Sequence, residues 1–172
     1  MIRAHGLSRK RLLELVQAAK AARRRAYCPY SKHPVGAAVL TASGRVYTGA
    51  NVENASYGLS ICAERVAVFN AVVRGDREVR ALCVACKSAR PCGACRQVMM
   101  EFSNKETALV LVSTGSDDGN DKVTVTRAAL MLPGAFDPLA SGLLPAPSPL
   151  RPAPASGRGG NIRKPAKRRS RQ

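Results

Sequence analysis

A Cys62-Ala63-Glu64 triplet is followed thirty positions after its cysteine by Pro91-Cys92-Gly93-Ala94-Cys95, and this pair of motifs constrains the chain more than any other feature. Three thiolates brought to one place call for a shared cation. A structural zinc site is closed by four protein ligands, whereas a hydrolytic one keeps a position open for water, whose pKa the metal lowers to about 7. Glu64, two residues after the first thiolate, is poorly placed to be a ligand and well placed to be the free acid/base beside that water. Cysteines separated by two residues at the start of a helix bring both sulfurs to one side, and Pro91 suits such a start. Helix N-termini carry partial positive charge. Two of them, at Cys62 and Cys92, would hold thiolate pKa values down and offset the negative charge of a tri-thiolate centre.

The cysteines admit a second arrangement, since there are six, at 28, 62, 83, 86, 92 and 95. Cys83-x-x-Cys86 and Cys92-x-x-Cys95 would form a closed four-cysteine ribbon if the halves were farther apart. Only five residues separate them, against about 15 to 20 in that pattern. Ala81 to Cys86 also reads as a buried strand, on which positions three apart face opposite ways. Cys28, Cys83 and Cys86 therefore read as small thiols packed away without chemistry. A disulfide framework is disfavoured, because the chain reads as lacking a signal peptide and metal-type spacing suits a reducing compartment. Glu64 has a plainer role open to it as a first-turn helix residue. With Ser60 as N-cap, however, the capping-box partner falls on Ala63, so capping does not account for Glu64.

Around these motifs the pattern alternates between helix and strand. Ser8 to Arg25 carries Leu12, Leu13, Leu15, Val16 and Ala19 at helical spacing, with Ser8 as N-cap and Arg23-Arg24-Arg25 favourable to the negative end of the dipole. Pro34 to Thr41 and Arg45 to Asn51 read as strands joined by a turn at Ser43-Gly44. Helices starting near Cys62 and Cys92 alternate with strands at Ala81 to Cys86 and Ala108 to Ser113. Lys122 to Thr126 reads as a short strand and Arg127 to Leu132 as a brief helix ended by Pro133. Such alternation predicts an α/β layered sheet. The longest apolar runs fall short of the roughly 18 residues that a membrane span needs, so a soluble protein with no membrane partner is expected.

Six stretches in order, Ala26-Tyr27-Cys28-Pro29-Tyr30-Ser31, Pro34-Val35-Gly36-Ala37-Ala38, Asn51-Val52-Glu53-Asn54-Ala55, Cys62-Ala63-Glu64-Arg65, Pro91-Cys92-Gly93-Ala94-Cys95-Arg96-Gln97 and Leu132-Pro133-Gly134-Ala135-Phe136, closely resemble the small homotetrameric cytidine deaminases. A Cys or His first ligand, a Glu two residues on and a later P-C-x-x-C is the known zinc-deaminase pattern, so this assignment is a match and not a derivation. Cys as the first ligand resembles the free-nucleoside branch. The resemblance implies a three-layer α/β/α fold with a mixed five-stranded sheet, and a domain spanning residues 1–136. It implies one zinc per subunit on Cys62, Cys92 and Cys95, with Glu64 shuttling protons during hydrolysis of cytidine or deoxycytidine to uridine or deoxyuridine and ammonia, in pyrimidine salvage. Asn51 and Glu53 would bind the sugar, His33, Tyr57, Ala63 and Phe136 would line the pocket near Tyr30, and Arg65 would donate to the thiolates. A homotetramer with shared active sites, in the cytoplasm, is implied too, with Tyr30 and Phe136 lent between subunits.

Two departures stand out. His33 occupies the position where the family usually has a Phe before Pro-Val-Gly, which implies weaker packing on the base. Lys87-Ser88-Ala89-Arg90 is a short link that would pull Cys92 and Cys95 relative to Cys62. Beyond Phe136 the composition changes: residues 137–172 hold seven of the eleven prolines and eight of the twenty-eight basic residues, with Asp137 the only acid. The segment is expected to be a disordered spacer ending in a basic cluster, Arg163-Lys164 and Lys167-Arg168-Arg169-Ser170-Arg171, with nuclear import as one use for it. Removing its +7 from the +17 of the whole leaves the remainder basic as well, which keeps nucleic acid open as a partner. Stacking platforms are scarce, with no Trp and only seven aromatic residues, so nucleic acid is not the favoured one.

Overall fold

The computed structural model describes residues 6–115, 120–136 and 141–143. In chain order they form α1 (Arg9–Arg23), β1 (Gly36–Thr41), β2 (Val46–Ala50), a 3-10 turn (Tyr57–Leu59), α2 (Ala63–Val72), β3 (Val79–Cys86), α3 (Gly93–Phe102), β4 (Ala108–Ser113), β5 (Lys122–Arg127) and a 3-10 turn at Ala128–Met131. The strands make one five-stranded sheet in the order β2-β1-β3-β4-β5. β3 and β4 are parallel and the other neighbours antiparallel, so the sheet is mixed. Every residue of β1 is buried, as is all of β3 except Arg80, whereas the edge strand β2 alternates. That is the burial expected of central strands covered on both faces.

Alternation along the strands sorts the core into two layers. Ala38, Leu40, Ala81, Cys83, Ala85, Val110 and Val112 pack with Leu15 and Ala19 of α1. Ala37, Val39, Leu82, Val84, Cys86 and Leu109 pack on the other side with Ala67 and Val68 of α2 and Met99 of α3. The result is a three-layer α/β/α fold. Ser8 caps α1 as its sequence indicates, its side chain accepting from the Arg11 amide at 3.3 Å.

Two glycines let the helices lie directly on the sheet. A Cβ at Gly36 would sit 2.1 Å from Ala19 O, and one at Gly49 would sit 2.4 Å from Ala67 N and 2.5 Å from Ala63 O. Neither contact can relax by moving a side chain, because both are with helix backbone. Gly49 thus fixes the height of α2, and with it the start of that helix, above β2.

The other end of α2 is tied by Asp76, a buried carboxylate whose Oδ2 accepts from Thr41 Oγ1 at 3.0 Å, Ser43 Oγ at 2.8 Å, Arg45 Nε at 2.9 Å and Tyr47 OH at 2.7 Å. This joins the β1–β2 hairpin to the turn after α2. Burial alone would raise the Asp76 pKa, but the four donors outweigh it and hold it at about 2, below the ordinary 3.8. A folded-state value below the unfolded one favours the ionised form, so the stabilisation is complete above the unfolded pKa and drains away as pH falls toward about 2.

Gly49→Ala is expected to cost about 2 kcal/mol, a fall in Tm of roughly 5–10 °C, while Gly58→Ala, with open space around the added methyl, leaves Tm unchanged. Asp76→Ala should destabilise by about 2 kcal/mol at neutral pH, with the gap to wild type closing toward pH 2 in denaturant titrations.

Candidate active site and metal centre

Cys62 and Cys92 are the N-cap residues of α2 and α3, in extended conformation with φ/ψ of −77/153 and −71/171. Their carbonyls accept the first helical bonds, from Val66 N at 3.2 Å and Arg96 N at 3.0 Å. The places that a Ser or Asp would take to cap a helix are held by sulfurs, and neither makes a side-chain capping bond. With the cap at Cys62, Ser60 instead closes the preceding 3-10 turn. Glu64 is then the second helical residue, still outside the capping-box position, and the plainer explanation for it fails here also.

The sulfurs of Cys62, Cys92 and Cys95 lie within 4.8 Å of one another. Cys62 Sγ is 3.8 Å from Cys92 Sγ, which is 3.5 Å from Cys95 Sγ. Bonds of about 2.3 Å at tetrahedral angles hold sulfurs about 3.8 Å apart, so the donor set and its spacing fit zinc. The electrostatics ask for a cation as well. The Cys95 thiol leads the groups that hold Cys62 as a thiolate, down to about 5, with Arg65 helping against burial. Cys95 is pushed up by that same neighbour and by burial. Three thiolates at this range cannot all ionise on the strength of one guanidinium. Arg65 Nη2 stands 3.8 Å from Cys62 Sγ and 3.5 Å from Ser60 O, and its Nε is buried without a hydrogen-bond partner, an unspent donor beside the cluster.

Glu64 is 4 % exposed on the first turn of α2. Burial pushes its carboxyl up to about 7, and the Cys62 thiolate adds to the rise. The short link Lys87 to Arg90 does not pull the second motif away. Ala89 and Pro91 are buried, Ala89 N is 3.4 Å from Ser113 Oγ, and Arg96 holds the start of α3 by donating to Pro91 O at 2.8 Å and Met131 O at 3.1 Å. Cys83 and Cys86 fall in opposite core layers, and burial pushes Cys83 up to about 12. Among the described residues they join no metal-capable group, so the ribbon arrangement is absent there.

Several of the remaining candidates lie on a strap from Tyr27 to Val35 laced along Asn51 to Glu53. Tyr27 N donates to Asn51 O at 3.0 Å and Glu53 N to Tyr27 O at 2.8 Å. Asn51 is buried, accepting from Val35 N at 2.8 Å and donating to His33 O at 3.1 Å. The Glu53 carboxylate accepts from Tyr30 N at 2.9 Å, Ser31 N at 3.2 Å and the Ser31 hydroxyl. His33 is half-buried, Tyr57 is exposed and meets Tyr30 edge to face at 5.9 Å, and the Ala63 side chain is fully buried. Phe136 is exposed, its carbonyl accepting from Gln97 Nε2 at 3.3 Å. Ser31 and Arg96 carry interactions that sequence reasoning did not assign. Both lie inside recognised motifs, but their partners are 22 and 35 residues away for Glu53 and Met131, so no local pattern points to them.

Residues 9–111 match the model of the cytidine and deoxycytidylate deaminase zinc-binding region. A cytidine deaminase of Sporosarcina psychrophila is 44% identical over 126 residues, covering 72% of this chain and 89% of that protein. One from Halalkalibacterium halodurans is 47% identical, covering 71% and 91%. Among solved structures, the cytidine deaminase of Burkholderia pseudomallei is 45% identical with a TM-score of 0.66, covering 76% of this chain and 100% of that one. The Mycobacterium tuberculosis cytidine deaminase is 37% identical with a TM-score of 0.61, covering 73% and 97%. With two zinc-motif helices aimed at one point and relatives matched along most of their length, the chain belongs to the cytidine deaminase family.

Proposed function

We propose that this protein hydrolyses the exocyclic amine of cytidine and deoxycytidine, releasing ammonia and uridine or deoxyuridine in pyrimidine salvage, with residues 1–136 as the catalytic unit. The observation that carries the reading is the triad of sulfurs at two helix N-termini with a buried carboxylate on the first turn of α2. Cys62, Cys92 and Cys95 would hold the zinc, which when bound supplies a Lewis acid that makes a water acidic near neutral pH. Glu64 takes a proton from the attacking water as a C4–O bond forms. It passes that proton to ring N3, then takes a second from the new C4 hydroxyl and gives it to the amine, so that the C4=O bond forms as the C4–N4 bond breaks with ammonia as leaving group. The low-dielectric setting that raises the Glu64 pKa also makes it a willing donor in the second half of the reaction.

Other residues take supporting roles in this reading. Arg65 places one positive charge on the Cys62 thiolate and so preserves the electrophilic strength of the centre. Asn51 and Glu53 receive the sugar, and Tyr57 and His33 flank the base, the smaller and more polar imidazole gripping it less than a phenyl ring would. Ala63 contributes through its amide, a first-turn donor that the helix leaves free. Tyr27, Val52, Tyr57, Leu59, Phe69 and Val73 are exposed apolar residues on the β2 and α2 side. A homotetramer would cover such a surface and deliver Tyr30 and Phe136 to neighbouring pockets. A cytoplasmic location accords with six free cysteines. No described helix is long and apolar enough to cross a membrane. The basic terminal cluster lies outside the described residues.

Glu64→Gln is expected to keep about one zinc per subunit by metal analysis and to lose at least about 10³-fold in ammonia release from cytidine. Turnover near wild type would remove Glu64 from the mechanism. A chain truncated after Phe136 should keep kcat and KM for cytidine within about twofold of the full chain, whereas loss of turnover would make the tail part of the catalytic unit.

A further inference from the structure

The Ser31 hydroxyl occupies an unusual position on the strap. It accepts from His33 N at 3.1 Å and donates to Glu53 Oε1, so it links the backbone beside the pocket to the carboxylate 22 residues away. The geometry depends on Lys32, which has φ of 53° and is the one described non-glycine residue in the left-handed region. That conformation costs roughly 1–2 kcal/mol outside glycine. It turns the chain so that the His33 amide faces back toward Ser31. Strain of this kind persists where surrounding bonds over-determine it, and the surrounding bonds here converge on Glu53: Tyr30 N, Ser31 N and Ser31 Oγ.

Acceptor capacity gives the arrangement a function. A carboxylate offers about four lone-pair sites. The two amides occupy Oε2 and the Ser31 hydroxyl occupies one site on Oε1, which leaves a single acceptor position on Oε1. Asn51 is committed in the same way. Its Oδ1 accepts from Val35 N and one Nδ2 proton goes to His33 O, which leaves one donor and one acceptor lone pair.

We infer that Ser31 is a positioning residue for substrate recognition, its hydroxyl fixing the rotation of the Glu53 carboxylate so that one free lone pair meets a sugar hydroxyl. This rests on the assignment of Glu53 to the sugar under the proposed function. Ser31 touches no substrate itself. The lowered pKa of Glu53, to which the Ser31 bond is the largest contributor, accords with a carboxylate kept ionised for accepting. A Glu53 freed from Ser31 can rotate, and its binding of the hydroxyl weakens equally in the ground and transition states, so the effect falls on KM.

The test uses the full-length zinc enzyme with cytidine as substrate and 2′,3′-dideoxycytidine, which lacks both ring hydroxyls, as competitive inhibitor. Ser31→Ala is expected to raise KM for cytidine about tenfold with kcat within about twofold, and to leave the inhibition constant of the dideoxy compound within about twofold. Ser31→Thr, which keeps the hydroxyl, should restore KM. In a double-mutant cycle, Ser31→Ala in a Glu53→Gln background should add less than about twofold. Equal losses for cytidine and the dideoxy inhibitor, or failure of Thr to rescue a variant whose melting temperature is unchanged, would overturn the inference and leave Ser31 a structural residue. If Glu53→Gln raises KM for cytidine but Ser31→Ala does not, the positioning role fails while the sugar assignment stands. If neither variant changes KM, the sugar assignment fails and the inference falls with it.

Discussion

Mutual repulsion among three sulfurs held within 4.8 Å is the interaction on which the rest of the structure turns. Their charge can be borne only by a cation, by helix N-termini and by a nearby guanidinium, and the fold supplies or invites all three. Two helices that are not consecutive across the sheet end their approach at the same point because each begins right after a strand or turn at one end of it. The β1 residue Gly36 pairs with Ala50 at the end of β2 and with Ala85 near the end of β3, so α2 and α3 both follow strands that finish at that end of the sheet. Gly49 lets α2 descend onto β2 until its backbone touches, and Arg96 pins the start of α3 to Pro91 and Met131. Neither contact is made by a sulfur of the cluster, yet each holds a helix that carries one.

The strap from Tyr27 to Val35 is built on different physics. Where the sulfur cluster uses helix ends and burial, the strap is non-helical and its backbone groups are satisfied by Asn51 and Glu53. The half-buried backbone of His33 and Val35 must find partners, and here the partner is Asn51, a side chain that the substrate is proposed to use. Recognition groups that are already engaged lose little freedom on binding, which lowers the entropic cost of holding a small polar ligand.

Local patterns made much of this visible in the sequence. The Cys62, Cys92 and Cys95 spacing marks out a group able to hold a metal ion, because residues at helix starts bring their sulfurs together. The apolar runs at Pro34 to Thr41 and Ala81 to Cys86 fall within two residues of β1 and β3 at each end. Long-range relations were illegible. Strand order, the choice of Cys62 itself as a cap over Ser60, the Asp76 hub and the Ser31 to Glu53 bond each depend on residues that meet only after the sheet forms. The glycines at 36 and 49 show the same limit: composition marks them as permissive, and only the packed helix backbone shows that nothing else fits.

X-ray absorption at the zinc edge of the intact enzyme tests the central claim most directly. Three sulfur neighbours at about 2.3 Å and one oxygen near 2.0 Å are expected, which is an open tri-thiolate site. Four sulfurs would describe a closed structural centre and contradict the account.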